Sequence, residues 1–335
     1  MKAEGGTAAA TSWAGQRERS NLLALRFMRF VAVAAGRRVA RLMLHPIAFY
    51  FFVASRTVRG HSRRYLERAL GRPATGRDVY RHFHAFCATV LDRVYLLRGQ
   101  FDQFSFAASG IEAILEPTGR GEGVLACGAH LGSFEALRMV GHDKGLKVAM
   151  IMYEDNARLI NDTLAAIAPN AELHTIRLGR LDAMLALRRW LDDGGLAGML
   201  ADRTLPGSNP QRSKTVALPF LGAPARFADG PFRLAALLRR RLVFMAGVYR
   251  GGNRYELRFA ELADFSAAAS AEQRDALIGT ALARYVATLE SLCREAPYNW
   301  FNFFDFWAEP DDTLAATSAA ASASASASAT SDADR

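Results

Sequence analysis

Short apolar segments alternate with amphipathic segments along most of the chain after residue 110. Four of the apolar segments are six to eight residues long and are rich in Val, Leu, Ala and Met. This pattern is typical of strands that are buried on both faces of a parallel sheet. The four segments are Val124–Ala129, Val148–Tyr153, Leu196–Ala201 and Leu242–Tyr249.

The segments between these strands have apolar residues at three- and four-residue spacing, which predicts helices. Arg254–Phe259 is predicted as an antiparallel partner of the preceding strand, Leu173–Leu178 as a further short strand, and 202–230 as a long loop rich in proline and glycine. Alternating strands and helices predict an α/β fold, with a mostly parallel central sheet flanked by helices. The predicted helices are 78–98, Ile111–Leu115, Ser133–Val140, Asn156–Ile167, Asp182–Asp193, Pro231–Arg240 and Ala271–Glu295.

The first of these helices contains an acidic residue at its start and two histidines. We expect Asp78 to cap the helix and Gly99 to end it. His82 and His84 are interpreted as ordinary residues at the surface or its boundary.

Arginines recur throughout the apolar N-terminal part of the chain. Between Arg17 and Arg72 there are 13 arginines and two acidic residues, whereas the whole chain carries a formal net charge of +9. The longest uncharged run there, Leu42–Ser55, has 14 residues, and a membrane-spanning helix needs about 20. The pattern favours amphipathic helices that lie on an anionic membrane surface. The alternative is that these helices pack on the body of the protein and turn their arginines toward water.

Composition divides the chain into four parts. Residues 1–16 are small and polar and are predicted to be disordered, and residues 17–99 form the basic amphipathic helical segment. Residues 100–309 form the α/β domain. Residues 310–335 alternate Ala and Ser, cannot bury an apolar face, and are predicted to be disordered.

Several functional classes find no support in the sequence. The basic residues are interleaved with large apolar ones rather than spread over a folded domain, which argues against nucleic-acid binding. The three cysteines, Cys87, Cys127 and Cys293, form no Cys-x-x-Cys or Cys/His cluster, so we expect buried thiols and neither a metal site nor a disulfide framework. The chain has no Gly-x-Ser-x-Gly elbow and no Walker-type loop.

Two predicted strand ends carry candidate chemistry, and ligands of open α/β sheets bind at such ends. The first strand is followed by His130 and then Glu135, and the third by Asp202 and Arg203. If Gly132 bends the chain back, Glu135 can reach the imidazole, hold its tautomer and stabilise its charged form. Such a pair can activate a hydroxyl or amine for attack on an acyl group. A structural histidine is the alternative, because His-x4-Glu spacing is common by chance.

The residues around these strand ends resemble the bacterial lipid A biosynthesis acyltransferases, a lauroyl/myristoyl acyltransferase family within the lysophospholipid acyltransferase superfamily. Gly128–Glu135 is similar to the family's first block, and the resemblance extends over about residues 20–308. Arg158 and Asn161 reproduce an Arg-x-x-Asn spacing of the second block. The other similar segments are Leu200–Arg203, Leu218–Gly222, Gly230–Ala235 and the aromatic ending Tyr298–Trp307.

The resemblance implies acyl transfer without a covalent acyl-enzyme and without a metal or bound cofactor. His130 would be the general base, supported by Glu135. The donor would be a fatty acyl thioester on acyl carrier protein or coenzyme A, and the acceptor a hydroxyl or amine of a membrane lipid or glycolipid. The protein would work on the cytoplasmic face of the bacterial inner membrane, as a peripheral or monotopic protein.

The resemblance also assigns substrate-binding roles to Arg158, Asn161, Asp202 and Arg203. Arg203 would bind acceptor phosphate or the developing oxyanion, or else pair locally with Asp202. Arg158 would bind the headgroup or be a surface residue of its helix. The aromatic ending would form core packing, or else a wall of an acyl-chain tunnel or a membrane-facing belt. A catalytically silent lipid-binding module on the same fold is the alternative function.

Overall fold

A seven-stranded sheet lies at the centre of the computed structural model, which describes residues 32, 34, 36–153, 174–178, 181–203, 215–268 and 270–307. The strand order is β1-β9-β8-β2-β5-β3-β4, and every neighbouring pair is parallel except β8 and β9. The strands are β1 Ser105–Ser109, β2 Val124–Gly128, β3 Val148–Tyr153, β4 His174–Leu178, β5 Leu196–Leu200, β8 Arg241–Tyr249 and β9 Arg254–Asp264. The predicted α/β fold with a mostly parallel sheet is confirmed.

The central strands are buried as their sequences predict. All five residues of β2 are buried, and β5 and β8 are buried along nearly their whole length. The antiparallel pairing of β8 with β9 is also as predicted, although β9 runs five residues beyond Phe259.

Two strand regions escaped the sequence prediction. The edge strand β1 has the weakly apolar sequence Ser-Phe-Ala-Ala-Ser and forms by pairing with β9. The predicted loop at 202–230 contains a hairpin of β6 Thr215–Phe220 and β7 Ala223–Ala228, joined by Leu221 and Gly222, both with positive φ. Glu290 accepts a hydrogen bond from the Leu221 N–H (2.9 Å), so a distant helix stabilises this turn.

Helices cover the sheet and form an N-terminal layer beside it. Single 3₁₀ turns occur at Phe101–Gln103 and Glu135–Leu137, so the predicted helix Ser133–Val140 is in fact a 3₁₀ turn that leads into α5. The predicted helix Asn156–Ile167 and the predicted disordered segments 1–16 and 310–335 lie outside the described residues. The helices are α1 36–54, α2 Arg56–Leu70, α3 Gly76–Leu97, α4 Glu112–Gly119, α5 Arg138–Lys144, α6 Leu181–Asp192, α7 Gly230–Leu238 and α8 Ala271–Glu295.

Helix α3 corrects two details of the sequence prediction. Its cap is Thr75, which shares a capping box with Asp78 at the third helical position, so Asp78 is part of the cap without being the cap residue. His82 was predicted at the surface or its boundary and is completely buried instead, because Phe301 and Phe303 pack over it, whereas His84 is half-buried.

Helix α8 is the one described helix whose length and apolar content fit a membrane span. Its apolar side, which includes Ala281, Tyr285 and Leu289, is buried in the protein core. The contacts of α8 are therefore those of a core helix in a globular domain.

A buried carboxylate attaches α1 to the rest of the protein. The guanidinium of Arg37 forms two hydrogen bonds with Asp92 of α3, at 2.9 and 3.1 Å, and the Tyr255 hydroxyl donates a third at 3.0 Å. Arg41 lies 3.7 Å from the same carboxylate and donates to the Tyr249 hydroxyl. Burial raises the pKa of Asp92 although Arg37 favours its ionised form. The pair therefore lies in a dry environment, where losing one partner is costly.

We expect Asp92→Ala to lower the free energy of unfolding by about 3 kcal/mol, because Arg37 and Arg41 then remain partly buried without a counter-charge. Asp92→Asn should lose less, since its amide oxygen still accepts from Arg37 and Tyr255. Urea unfolding followed by tryptophan fluorescence measures both variants. Glu122→Ala, which breaks the exposed Arg120–Glu122 pair, is the control and should leave the midpoint almost unchanged. Equal midpoints for all three variants would contradict a role of Asp92 in attaching α1.

Candidate active site

The carboxyl ends of β2 and β5 bring His130 and Asp202 together. The two strands are parallel neighbours in register, with Gly128 beside Leu200. The Ala201 N–H donates to the Gly128 carbonyl (2.9 Å), so the pairing continues beyond both strands. His130 and Asp202 each follow two residues behind these paired ends and meet above the edge of the sheet.

Asp202 holds His130 by its backbone and its ring. The His130 N–H donates to Oδ2 of Asp202 at 3.0 Å, and Nδ1 of the ring lies 2.8 Å from Oδ1. A carboxylate can only accept, so Nδ1 must carry the hydrogen. The neutral ring then has its lone pair on Nε2, and the His130 side chain is 30% exposed. Among the described residues no hydrogen bond occupies Nε2, so this arrangement could orient a general base whose second nitrogen takes a proton.

The carboxylate of Asp202 is completely buried and receives four hydrogen bonds. Besides the two from His130, Oδ2 accepts from the Trp300 indole (2.9 Å) and from the Asn302 amide (3.0 Å). Burial by itself raises the pKa of Asp202, but the charge and hydrogen bonds of His130 outweigh it and hold that pKa well below the usual range. Asp202 therefore stays ionised and supports a positive charge on His130.

The C-terminal aromatic segment forms one wall of the site. Trp300 pairs with Leu131 in an isolated antiparallel bridge, and the Phe301 N–H donates to the His130 carbonyl (2.7 Å). Trp300 is completely buried against Tyr65 and Phe220. At Trp300 the segment is therefore core packing, and it also supplies a hydrogen bond to Asp202.

Gly132 and Gly247, which lie against each other, permit the turn after His130. Gly132 has φ of +67°, and a Cβ there would lie 1.9 Å from the carbonyl oxygen of Gly247 in β8. That close approach lets the Ser133 N–H donate to the Gly247 carbonyl (2.8 Å). The Gly132 N–H donates to the backbone carbonyl of Asn299 (2.9 Å). The turn is thereby attached to β8 on one side and to the aromatic segment on the other.

Glu135 does not contact His130, which corrects the predicted hydrogen-bonded pair. Its Oε1 forms an ion pair with Nε of Arg93 on α3 (2.8 Å), and its Oε2 accepts from the Ser133 hydroxyl (3.1 Å). The turn at Gly132 leads into the 3₁₀ turn Glu135–Leu137, whose carboxylate is directed toward α3. The carboxylate on the imidazole comes instead from the end of β5.

The remaining predicted site residues have different outcomes. Arg203 donates to the Asn302 amide oxygen (2.7 Å) and to the Phe301 carbonyl (3.1 Å), and it forms no ion pair with Asp202. Burial lowers the pKa of Arg203, although the charge of Asp202 opposes this shift. Arg158 and Asn161 lie outside the described residues.

The described part of the chain contains no cluster of three or more His, Cys, Asp or Glu side chains placed to hold a metal ion. The three cysteines are buried as predicted, and burial raises the pKa of Cys127, which lies on β2 three residues before His130. A buried thiol that resists ionisation is a poor nucleophile.

The sequence model of the bacterial lipid A biosynthesis acyltransferases matches residues 20–308. The chain belongs to this acyltransferase family. The match confirms the resemblance found at the strand ends, and its range includes every residue that the structure describes. No curated protein matches the chain.

Among solved structures, this acyltransferase is similar to the 1-acyl-sn-glycerophosphate (LPA) acyltransferase PlsC from Thermotoga maritima. The two are 15% identical, with a TM-score of 0.33, over 76% of this chain and 98% of the other. So distant a likeness carries no information about the site.

The contact between Asp202 and His130 was missed by sequence reasoning, although both residues were singled out. The available signal was their common position just after predicted buried strands. The order of strands in the sheet decides which ends are neighbours, and β2 and β5 are separated in sequence by two other strands.

We expect Gly132→Ala to abolish activity and to lower the free energy of unfolding, because a Cβ collides with the backbone of β8. Gly145→Ala is a matched control, since Gly145 also has positive φ (+64°) but a Cβ there would meet no atom within 4 Å. Both variants bear the left-handed backbone penalty of roughly 1–2 kcal/mol, and Gly132→Ala should lose about 1–3 kcal/mol more. Equal losses in chemical denaturation would rule out the close approach.

Proposed function

We propose that this acyltransferase moves a fatty acyl group from a thioester to a hydroxyl or amine of a membrane lipid or glycolipid. The observation that carries the proposal is the His130–Asp202 pair, in which the imidazole is oriented and partly exposed and its Nε2 has no hydrogen-bond partner among the described residues. Family membership supports the reaction class. The donor would be acyl carrier protein or coenzyme A, and the lipid A type of acceptor follows from the family alone.

Each proton in the proposed mechanism passes through Nε2 of His130. This nitrogen takes the proton of the acceptor hydroxyl or amine as its oxygen or nitrogen attacks the thioester carbonyl. Asp202 stabilises the resulting imidazolium through Nδ1. Collapse of the tetrahedral intermediate breaks the carbon–sulfur bond and forms the ester or amide. The departing thiolate takes the proton back from Nε2, so the enzyme returns to its starting state.

The residues around the pair suit a fatty acyl substrate. Leu200, at the end of β5, and Phe304, whose ring lies 5.5 Å from the Arg203 guanidinium, are both exposed. Phe86 of α3 is also exposed, and its ring contacts Phe301 at 5.4 Å. Exposed apolar side chains so near a catalytic group are what an acyl chain would cover.

Helix α1 would place this site at a membrane surface. It buries small or medium residues, Ala40, Leu44 and Ala48, and exposes most of its large apolar side chains instead. Seven of the thirteen exposed large hydrophobic residues in the described part of the chain lie on α1. They are Val39, Leu42, Met43, Phe49, Tyr50, Phe51 and Val53.

The exposed arginines and the contacts of α1 also support placing the site at a membrane surface. Arg38 on α1 and Arg56 and Arg63 on α2 are also exposed, and such side chains suit anionic lipid headgroups. Phe52 of α1 contacts Phe83 of α3, and Phe83 contacts Phe303 of the aromatic segment. A continuous series of aromatic contacts thus connects α1 with the wall of the site. We propose attachment to the cytoplasmic leaflet of the inner membrane without a span.

We expect His130→Asn to lower acyl transfer by roughly 10²–10⁴-fold, because asparagine keeps a donor for Asp202 but has no basic nitrogen. Its melting temperature should stay near that of the wild type. The assay measures transfer from acyl carrier protein and coenzyme A thioesters to lipid acceptors in mixed micelles. Lipid profiling of a deletion strain would identify the acceptor. Full activity of His130→Asn would refute the mechanism.

The roles of the two carboxylates can be separated in the same assay. Asp202→Asn should lower kcat strongly, because the imidazolium that forms during proton transfer loses its stabilising partner. Glu135→Gln should lower kcat much less, because Glu135 contacts Arg93 and Ser133 instead of the imidazole. The reverse pattern would return the orienting role to Glu135.

We expect a Leu42→Gln, Val53→Gln double variant to bind less well than the wild type to anionic vesicles, because two side chains of the exposed α1 face become polar. Vesicle flotation measures binding to phosphatidylglycerol-containing and to purely zwitterionic vesicles. Leu237→Gln is the matched control, since Leu237 is 73% exposed but lies on α7. Unchanged flotation of the double variant would exclude α1 as the membrane contact.

A further inference from the structure

A second histidine, His82 of α3, lies completely buried behind the wall of the site. Its Nδ1 is 2.8 Å from the Ser62 hydroxyl of α2, and its Nε2 is 2.9 Å from the carbonyl oxygen of Trp300. His82 therefore connects α2 and α3 to the aromatic segment. The mechanism above does not use it.

The two hydrogen bonds determine the state of the His82 ring. A carbonyl can only accept, so Nε2 carries a hydrogen. Burial lowers the pKa of His82 to about 4, although the Trp300 carbonyl favours the charged form. The ring is therefore neutral near pH 7, and its Nδ1 accepts from the Ser62 hydroxyl. Both ring nitrogens are occupied, so His82 has no free position for proton transfer with a substrate.

Trp300 is hydrogen-bonded to both His82 and Asp202. The Trp300 carbonyl accepts from His82, and the Trp300 indole donates to the Asp202 carboxylate. The His82 ring also stacks on Phe301 (5.9 Å between centroids, 20° between planes), whose N–H donates to the His130 carbonyl. Two short series of contacts thus run from His82 to His130, one through the side chain of Asp202 and one through the backbone.

We propose that Ser62 and His82 form a positioning pair that sets the place of Trp300 and thereby the contact between Asp202 and His130. This inference rests on the proposed function and adds residues of α2 and α3 to its site. Without the His82 donor, the Trp300 carbonyl is left buried and unpaired. The free energy of that loss favours movement of the segment, and a displacement of a fraction of an ångström is enough to disturb the dyad.

Two neutral polar variants test the proposal with similar side chains. The amide nitrogen of His82→Gln can reach the position of Nε2 and donate to Trp300, whereas the shorter amide of His82→Asn matches Nδ1 and cannot. His82→Phe keeps the ring volume and removes both hydrogen bonds. Trp190→Phe is the control, because it also removes a side-chain N–H bond to a backbone carbonyl, that of Leu196 at the opposite end of β5 from Asp202.

The first measurement does not depend on acyl transfer. The hydrogen on Nδ1 of His130, bonded to a carboxylate, should give a low-field proton NMR signal that disappears in His130→Gln. We expect this signal to persist in His82→Gln and Trp190→Phe and to shift or broaden in His82→Asn and His82→Phe. An unchanged signal in His82→Asn would overturn the proposal, whether or not the protein transfers acyl groups.

The second measurement is kcat and KM for the transfer reaction. We expect His82→Asn and His82→Phe to lower kcat by about 10–100-fold with little change in KM. His82→Gln should keep most of the wild-type kcat. A merely structural role would instead lower stability in all His82 variants and leave kcat per folded protein unchanged, which overturns the proposal. An equal kcat loss in Trp190→Phe would overturn it too. If His82→Phe does not fold, the comparison of glutamine with asparagine still decides.

Discussion

The hydrogen bonds to the buried carboxylate of Asp202 are the interactions on which the site depends. An isolated charge in this position would be costly to desolvate. Four donors compensate for that cost, and they come from the turn after β2 and from Trp300 and Asn302 of the aromatic segment. Because all four converge on one group, they also bring together segments about 70 and 100 residues from it. The ionised state of Asp202 therefore depends on the same hydrogen bonds that orient His130 and attach the aromatic segment.

Two further acidic side chains form ion pairs that attach neighbouring elements to α3, beside the Asp202 site. Asp92 attaches α1 through Arg37, and Glu135 attaches the turn after His130 to Arg93 of α3. Because Asp92 and Arg93 are adjacent, one turn of α3 contacts both α1 and the turn after His130. A helix that faces water normally exposes its polar side, yet α1 exposes large apolar side chains and buries alanines. None of the described residues covers that outer face. The proposed membrane contact would cover it, and the Asp92 contact would then hold the site at a constant distance from the membrane.

Local sequence by itself determined the character of the elements and the residue that performs the proposed chemistry. The apolar runs of β2, β3, β5 and β8 predict buried parallel strands because no polar face is left for solvent. The helix Ala271–Glu295 has the predicted bounds, and His130 was recognisable from its place between a buried strand and a glycine turn. The family resemblance was readable from the same segments. These features depend on residues that lie close together in the chain.

Tertiary structure decided every contact that joins distant segments. Glu135, five residues from His130, was the natural partner by sequence, but the strand order placed Asp202 on the imidazole and α3 took Glu135. The same reason explains the buried His82, the hairpin β6–β7 and the edge strand β1, whose own sequences are only weakly apolar or contain polar groups. Burial and pairing of such residues are decided by what packs against them, and that information is spread over the whole chain.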